Sequence, residues 1–249
     1  TAQTAVPEGY IVIGWHKWAP LLLKELNDHL APGSSLKVVY DSDYTRGPGD
    51  ELLQSLNNIK ITTQTAHTSR RVDLEKLDLG AIDEIVLLSY RDSLDRQSAD
   101  SRTLLTLVHL REFVANSGRP IGIASELLDA RNRALANRGR EDDFIASEEL
   151  VSNVMVQLSE NPHLSLVLDE LLTAAGSEMY LRSVDQYIEP NTRISFGAIV
   201  QAGLDRGDAV IGVLDRDPTR PLPDLRLSID KNEEVLLGSE DAIVVVAKD

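Results

Sequence analysis

The sequence contains no cysteine, which excludes disulfides, thiolate metal sites and cysteine nucleophiles at once. Aromatic residues make up only 4% of it, so a core has to be built from Leu, Ile, Val and Ala. No stretch approaches the ~18 consecutive apolar residues of a membrane-spanning helix. The opening residues also lack the charged, apolar and small-residue order of a signal peptide. As it stands the chain reads as soluble and cytoplasmic. Positive charge is scarce: 25 Lys and Arg face 40 Asp and Glu, a formal net charge of −15. A duplex nucleic-acid binder needs a basic footprint, so nucleic acid is not an expected partner. The best local basic patch is Arg131, Arg133, Arg138 and Arg140.

Catalytic signatures are missing too. There is no G-x-x-x-x-G-K-[ST] phosphate loop, no G-x-S-x-G nucleophile elbow and no H-E-x-x-H zinc motif. The five histidines are scattered, and none stands four residues from another. Glu148-Glu149 and Glu233-Glu234 are adjacent in sequence, and neighbours on a helix or strand point apart, so they are not acid–base pairs. The chain is not expected to be an enzyme.

What is present is enough apolar material, 42% of 249 residues, for one large domain or two smaller ones. Short apolar, β-branched runs recur: Tyr10-Ile11-Val12-Ile13, Leu36 to Tyr40, Ile59 to Thr63, Glu84 to Ser89 and Pro120 to Ala124. Segments with helical spacing stand between them: Leu21, Leu22, Leu26 and Leu30, then Asp50 to Leu56, Leu74 to Leu79 and Asp95 to Asn116. A further helix is expected over Leu127 to Ala136. Strict alternation with short connections implies an α/β fold: a Rossmann-like, mainly parallel sheet with helices on both faces, over 1–140.

Two helices follow, Ser147 to Glu160 and about Leu164 to Ala175, separated by Asn161-Pro162. Residues 141–176 are read as a helical connector. Beyond it, strands are expected over Met179 to Tyr187, Ala209 to Leu214, Leu225 to Ile229 and Ala242 to Ala247. A helix over Ile194 to Leu204 completes a small α+β C-terminal subdomain, 177–249.

In an open parallel sheet, ligands bind beyond the carboxyl ends of the strands. The first strand ends in Gly14-Trp15-His16-Lys17-Trp18-Ala19, where the dinucleotide fingerprint G-x-G-x-x-G would require glycine in place of His16 and Ala19. Lys17 and the helix start behind it offer a phosphate contact, or Lys17 is simply solvated. Asp41 and Asp43 end the second strand, where a carboxylate commonly takes ribose hydroxyls or merely closes a turn. The polar turn Tyr90 to Asp95 ends the fourth strand. Its Asp95 suits a helix N-cap, and the turn equally offers a cation site shared with Asp41 or Asp43.

The segment Tyr90 to Glu112, YRDSLDRQSADSRTLLTLVHLRE, resembles the stretch after the fourth strand in the CASTOR/POLLUX group of ion channels. The opening YIVIGWHKWAPLLLKEL, Tyr10 to Leu26, is similar to the first strand and helix of that group, including its Gly-Trp pair. IGIASELLDARNRAL and DDFIASEELVSNVMVQLSENPHLSLVLDELL resemble the fifth strand and crossover helices of domains regulating potassium conductance. FGAIVQAGLDRGDAVIGVL and LLGSEDAIVVVAKD resemble their second subdomain. The resemblance implies a module on the cytosolic side of a membrane pore belonging to the same full-length protein. It implies homo-oligomers, dimers joined by crossover helices and assembled as a ring, that respond to Ca²⁺ or a nucleotide. Asp41, Asp43, Asp92 and Asp95 are the carboxylates expected to bind Ca²⁺, which takes six to eight oxygen ligands. Gly14, His16, Lys17, Asp41 and Asp43 are the residues expected at a nucleotide. The alternative is an NAD(H)- or adenine-nucleotide-binding regulatory subunit of a potassium uptake system. A short-chain oxidoreductase is disfavoured by the lack of its Y-x-x-x-K pair.

Overall fold

In the computed structural model, the described residues are 6–132, 143–173, 176–217, 219–220 and 223–248. They form two compact units that part between Glu160 and Asn161. The helices expected as one connector therefore belong one to each unit.

The first unit carries a six-stranded sheet in the order β3-β2-β1-β4-β5-β6, every neighbouring pair parallel. The strands are β1 Gly9–Ile13, β2 Ser35–Tyr40, β3 Lys60–Thr65, β4 Glu84–Leu87, β5 Gly122–Leu127 and β6 Asp143–Ala146. The helices are α1 Ala19–His29, α2 Asp50–Ser55, α3 Arg71–Leu74, α4 Arg96–Ser117 and α5 Ser147–Glu160. Order reverses between β1 and β4, so the switch point lies at the β1–β4 carboxyl ends.

Two apolar layers hold the sheet. Ile11, Ile13, Ile85, Leu87, Ile123 and Leu127 pack with Leu107 and Leu110 of α4 on one face. Val12, Leu36, Val38 and Leu88 pack with Leu23 of α1 on the other. The alternation of strand side chains between faces divides them this way. α1 starts with Pro in its first turn. α4 starts at Asp95, whose side chain accepts from the Ser98 N–H, and stops at Gly118, whose φ of +68° is left-handed.

The second unit is antiparallel, with sheet order β10-β9-β12-β7 and a separate pair β11-β8. Its elements are α6 Leu164–Leu172, β7 Glu178–Ser183, β8 Arg193–Ser195, α7 Phe196–Arg206, β9 Ala209–Asp215, β10 Asp224–Leu227, β11 Glu234–Leu236 and β12 Ala242–Ala247. Phe196 and Ile199 of α7 pack with Val213, Ile243 and Val245. Among the described residues, no helix is long and apolar enough to cross a membrane.

Several elements differ from expectation for identifiable reasons. β5 runs to Leu127, past Ala124, because its polar Ser125 and Glu126 continue the pairing, Ser125 opposite Leu87 and Ser89 bonding Glu126. The helix expected over 74–79 is a short turn of helix at Arg71–Leu74, entered from an extended Arg70. β7 stops at Ser183, and Val184–Gln186 is a 3-10 turn in which Val184 is fully buried. β6, β8 and β11 were not anticipated; each has only three or four residues and is part polar. Of the helix expected over Leu127 to Ala136, the described part is β5's last residue followed by a 3-10 turn at Ala130–Asn132; the remainder lies outside the described residues. So do Arg133, Arg138 and Arg140 of the basic patch, while Arg131 is paired with Asp129 at 2.6 Å.

Candidate functional site at the carboxyl edge of the parallel sheet

Gly14 ends β1 with φ +99°, and a Cβ there would lie 2.1 Å from the Leu88 carbonyl oxygen. The glycine is thus required for β1 to pass close to the chain leaving β4. The chain then turns His16 inward to 6% exposure. His16 Nδ1 accepts from the Trp18 N–H at 3.2 Å, and its Nε2 faces Glu126 Oε2 at 3.0 Å. That approach is close but oblique, an electrostatic pairing more than a directed hydrogen bond.

Glu126, next to last in β5, gathers further partners. Its Oε2 accepts from the Ser89 N–H at 3.1 Å and from Ser89 Oγ at 3.0 Å, and its Oε1 accepts from Arg91 at 2.9 Å. Burial alone would raise its pKa, but His16 and Ser89 outweigh it and hold the carboxyl at about 2. Beside this cluster, on the α1 side of the sheet, a cavity of about 360 Å³ opens between Trp18, Leu21, Val86, Ala124 and Ile145.

A second cluster sits at the ends of β2 and β3. Asp41 is 1% exposed and forms an ion pair with Arg102 of α4. The Arg102 guanidinium lies over the rings of Tyr44, at 4.4 Å, and Tyr90, at 5.4 Å. The Asp41 N–H donates to Tyr90 Oη at 2.9 Å, and Thr68 Oγ1 is 3.0 Å from the same oxygen. Burial pushes the Tyr90 phenol up, against the opposing pull of these two hydrogen bonds. His67 Nδ1 is 3.4 Å from Asp41 Oδ2 and 3.8 Å from Asp43 Oδ2.

The four carboxylates expected to share a cation are divided by the fold. Asp41 and Asp43 meet His67, their ligand atoms all within 4.8 Å, and this is the one such group of three or more among the described residues. Asp92 instead accepts from the Lys17 N–H at 2.7 Å, with Lys17 Nζ at 3.9 Å. Asp95 is spent on capping α4, and its bonds to Ser98 lower its pKa. Of the expected nucleotide residues, Gly14 serves strand packing, and His16 faces Glu126 and accepts from the Trp18 amide. The two amides at the start of α1, Lys17 and Trp18, are already engaged by Asp92 and His16.

Glu126, His67 and Arg102 are not among the expected site residues, and Tyr90 and Arg91 are expected only as part of the turn Tyr90 to Asp95. One signal was available: the first turns of α4 bury Asp100, Thr103 and Thr106, a polar stripe where a core helix is ordinarily apolar.

No family model matches the chain. The probable ion channel CASTOR of Oryza sativa subsp. japonica is 28% identical over 276 residues, covering 97% of this chain and 31% of that protein. The probable ion channel POLLUX of the same species is 28% identical over 279 residues, again 97% of this chain and 28% of that protein. The ion channel CASTOR of Lotus japonicus is 28% identical over 83% of this chain. This chain thus spans about a third of the length of these relatives. Among solved structures, the human SLO3 gating ring superposes with a TM-score of 0.62 at 12% identity, over 97% of this chain and 44% of that one. The homologues of this chain are ion channels of the CASTOR/POLLUX type, and its fold is one it shares with the SLO3 gating ring.

Proposed function

We propose that this chain is the ligand-sensing regulatory region of a CASTOR/POLLUX-like cation channel. It stands on the cytosolic side of the membrane and passes a binding event at the sheet mouth to a pore in the same full-length protein. The observation that carries this reading is the combination, in one chain, of channel homology over 97% of its length with charge clusters enclosed at the carboxyl edge of the parallel sheet. A site that only stabilised the fold would be served better by apolar residues, because buried ion pairs contribute little net stability.

Oligomerisation belongs to the proposal. Leu150, Val151 and Met155 on α5 and Leu166, Val167 and Leu172 on α6 are exposed. Such faces suit burial against another copy, in the dimers from which a ring is built. Light scattering is expected to give a dimer or larger assembly; a strict monomer at high concentration speaks against it.

For the ligand, Ca²⁺ is the first reading. Asp41 and Asp43 supply carboxylate oxygens, and a cation there competes with Arg102 for the Asp41 carboxylate. The second reading, a nucleotide with its ribose on Asp41, meets the same competition. Its phosphates also have to expel Asp92 from the Lys17 amide. A melting experiment with Ca²⁺, Mg²⁺, NADH and ATP separates these. A ligand at about a hundred times its dissociation constant adds ~2.7 kcal/mol. A rise with Ca²⁺ alone, lost in Asp43→Asn, favours calcium, whereas a rise with a nucleotide alone favours the second reading. No rise with any of them sinks both assignments of this site.

A further inference from the structure

The turn between β4 and α4 contacts segments from across the first unit. It is closed on itself, with the Ser93 and Leu94 N–H groups both donating to the Tyr90 carbonyl, at 3.1 and 3.0 Å. From this small frame successive side chains reach different elements. Tyr90 Oη receives the Asp41 N–H beyond β2 and meets Thr68 beyond β3. Arg91 bonds Glu126 on β5 and, at 3.4 Å, Ser147 Oγ at the start of α5. Asp92 holds the Lys17 N–H ahead of α1. Ser93 Oγ donates to the Tyr44 carbonyl in the loop after β2. Arg96, the first residue of α4, pairs with Glu148 of α5 at 2.6 Å.

We propose that the turn Tyr90–Arg96 is the transmission element of this region, coupling the Asp41 cluster to helix α5. Tyr90 reads the position of the Asp41 backbone, and Arg91 and Arg96, on the same rigid turn, position the first residues of α5. Because the turn's own hydrogen bonds fix its shape, a displacement at Tyr90 is carried to Arg91 as a tilt of the whole turn. It is not absorbed by one side chain. Arg96 makes the direct ion pair with α5, through solvent-facing Glu148, while Arg91 is anchored on half-buried Glu126 of β5 and reaches α5 through Ser147 Oγ. As a route for gating, the device rests on the proposed sensing function; as a mechanical coupling it does not.

Ligand-free hydrogen exchange on the whole chain tests it. In Tyr90→Phe, which loses Oη but keeps the ring, the amides of Val151 to Met155 in the second turn of α5 are expected to exchange about threefold faster or more. Those of β1 report global unfolding and set the baseline, so the α5 effect is the acceleration in excess of theirs. In the Arg91→Ala/Arg96→Ala background, Tyr90→Phe should no longer alter α5. Coupling is reciprocal, so Ser147→Ala with Glu148→Gln, both on the helix surface, should loosen Asp43 to Thr45 in turn. The proposal is overturned if Tyr90→Phe speeds exchange in α5 no more than in β1, or if its excess effect on α5 persists without the two arginines. It is also overturned if the Ser147/Glu148 pair leaves Asp43 to Thr45 untouched, a result that decides the matter should Tyr90→Phe fail to fold. Since no ligand is present, failure here leaves the calcium and nucleotide readings standing, and their failure leaves this coupling standing.

Discussion

The two units bury different things. Every buried polar or charged side chain among the described residues, from His16 and Asp41 to Asp100 and Ser125, belongs to the parallel-sheet unit. The antiparallel unit buries apolar side chains such as Val184, Phe196, Ile199 and Ile243, and no polar ones among its described residues. Topology accounts for the difference. Parallel strands bring all their carboxyl ends to one edge, so their loops converge there and must satisfy one another's polar groups. Antiparallel strands spread their ends over both edges, and hairpin turns meet water instead. The first unit is therefore built to hold charge, and the second to hold shape.

Substitutions that probe the contrast differ in expected size. The largest effect belongs to Gly14→Ala: a side chain 2.1 Å from the Leu88 carbonyl at φ +99° should destabilise the first unit by about 5 kcal/mol or prevent folding. Urea denaturation or loss of soluble expression reports it; a stable Gly14→Ala protein breaks the account of β1–β4 packing. Asp41→Asn should cost about 4 kcal/mol, because Arg102 is left largely buried without its counter-charge. The same denaturation assay checks this, and Asp41→Asn with Arg102→Met should recover much of the loss.

Acid sensitivity comes next. The Glu126 carboxyl, held at about 2 against an ordinary 4.5, contributes stability that is complete above pH 4.5 and disappears as pH falls toward 2. That is about 3 kcal/mol at ~1.36 kcal/mol per pKa unit. Glu126→Gln should flatten the stability–pH curve in this window, and an unchanged slope removes Glu126 from the account. The smallest effect is in the second unit. Gly207 is as left-handed as Gly14, at φ +88°, but a Cβ there meets nothing within 4 Å. Gly207→Ala should cost only the backbone strain, about 1 kcal/mol. If both glycine substitutions cost the same, close approach is not what distinguishes the two regions.

Legibility in the sequence followed the same divide. The strands that are apolar throughout, such as Tyr10 to Ile13 and Ala242 to Ala247, were plain because burial on both faces, or against a helix on one, leaves a continuous run. β5 was cut short at Ala124 because Ser125 and Glu126 look like a strand end until Ser89 and His16 are placed beside them. Asp41 was found from its position after β2. Its partner Arg102 was not, being 61 residues away and on a helix from the opposite side of the switch point.

The sequence by itself determined the alternation of strands and helices, the change of texture after the connector, the kinship with CASTOR/POLLUX channels and the edge at which charge gathers. Those properties are written in local periodicity and in short segments. Which charges face one another was decided only by the tertiary structure. Strand order carries Glu126 to His16 and Arg102 to Asp41 while sending Asp92 and Asp95 to helix starts. A carboxylate's role depends on the nearest opposite charge within a few ångströms, and spacing along the chain does not fix that distance.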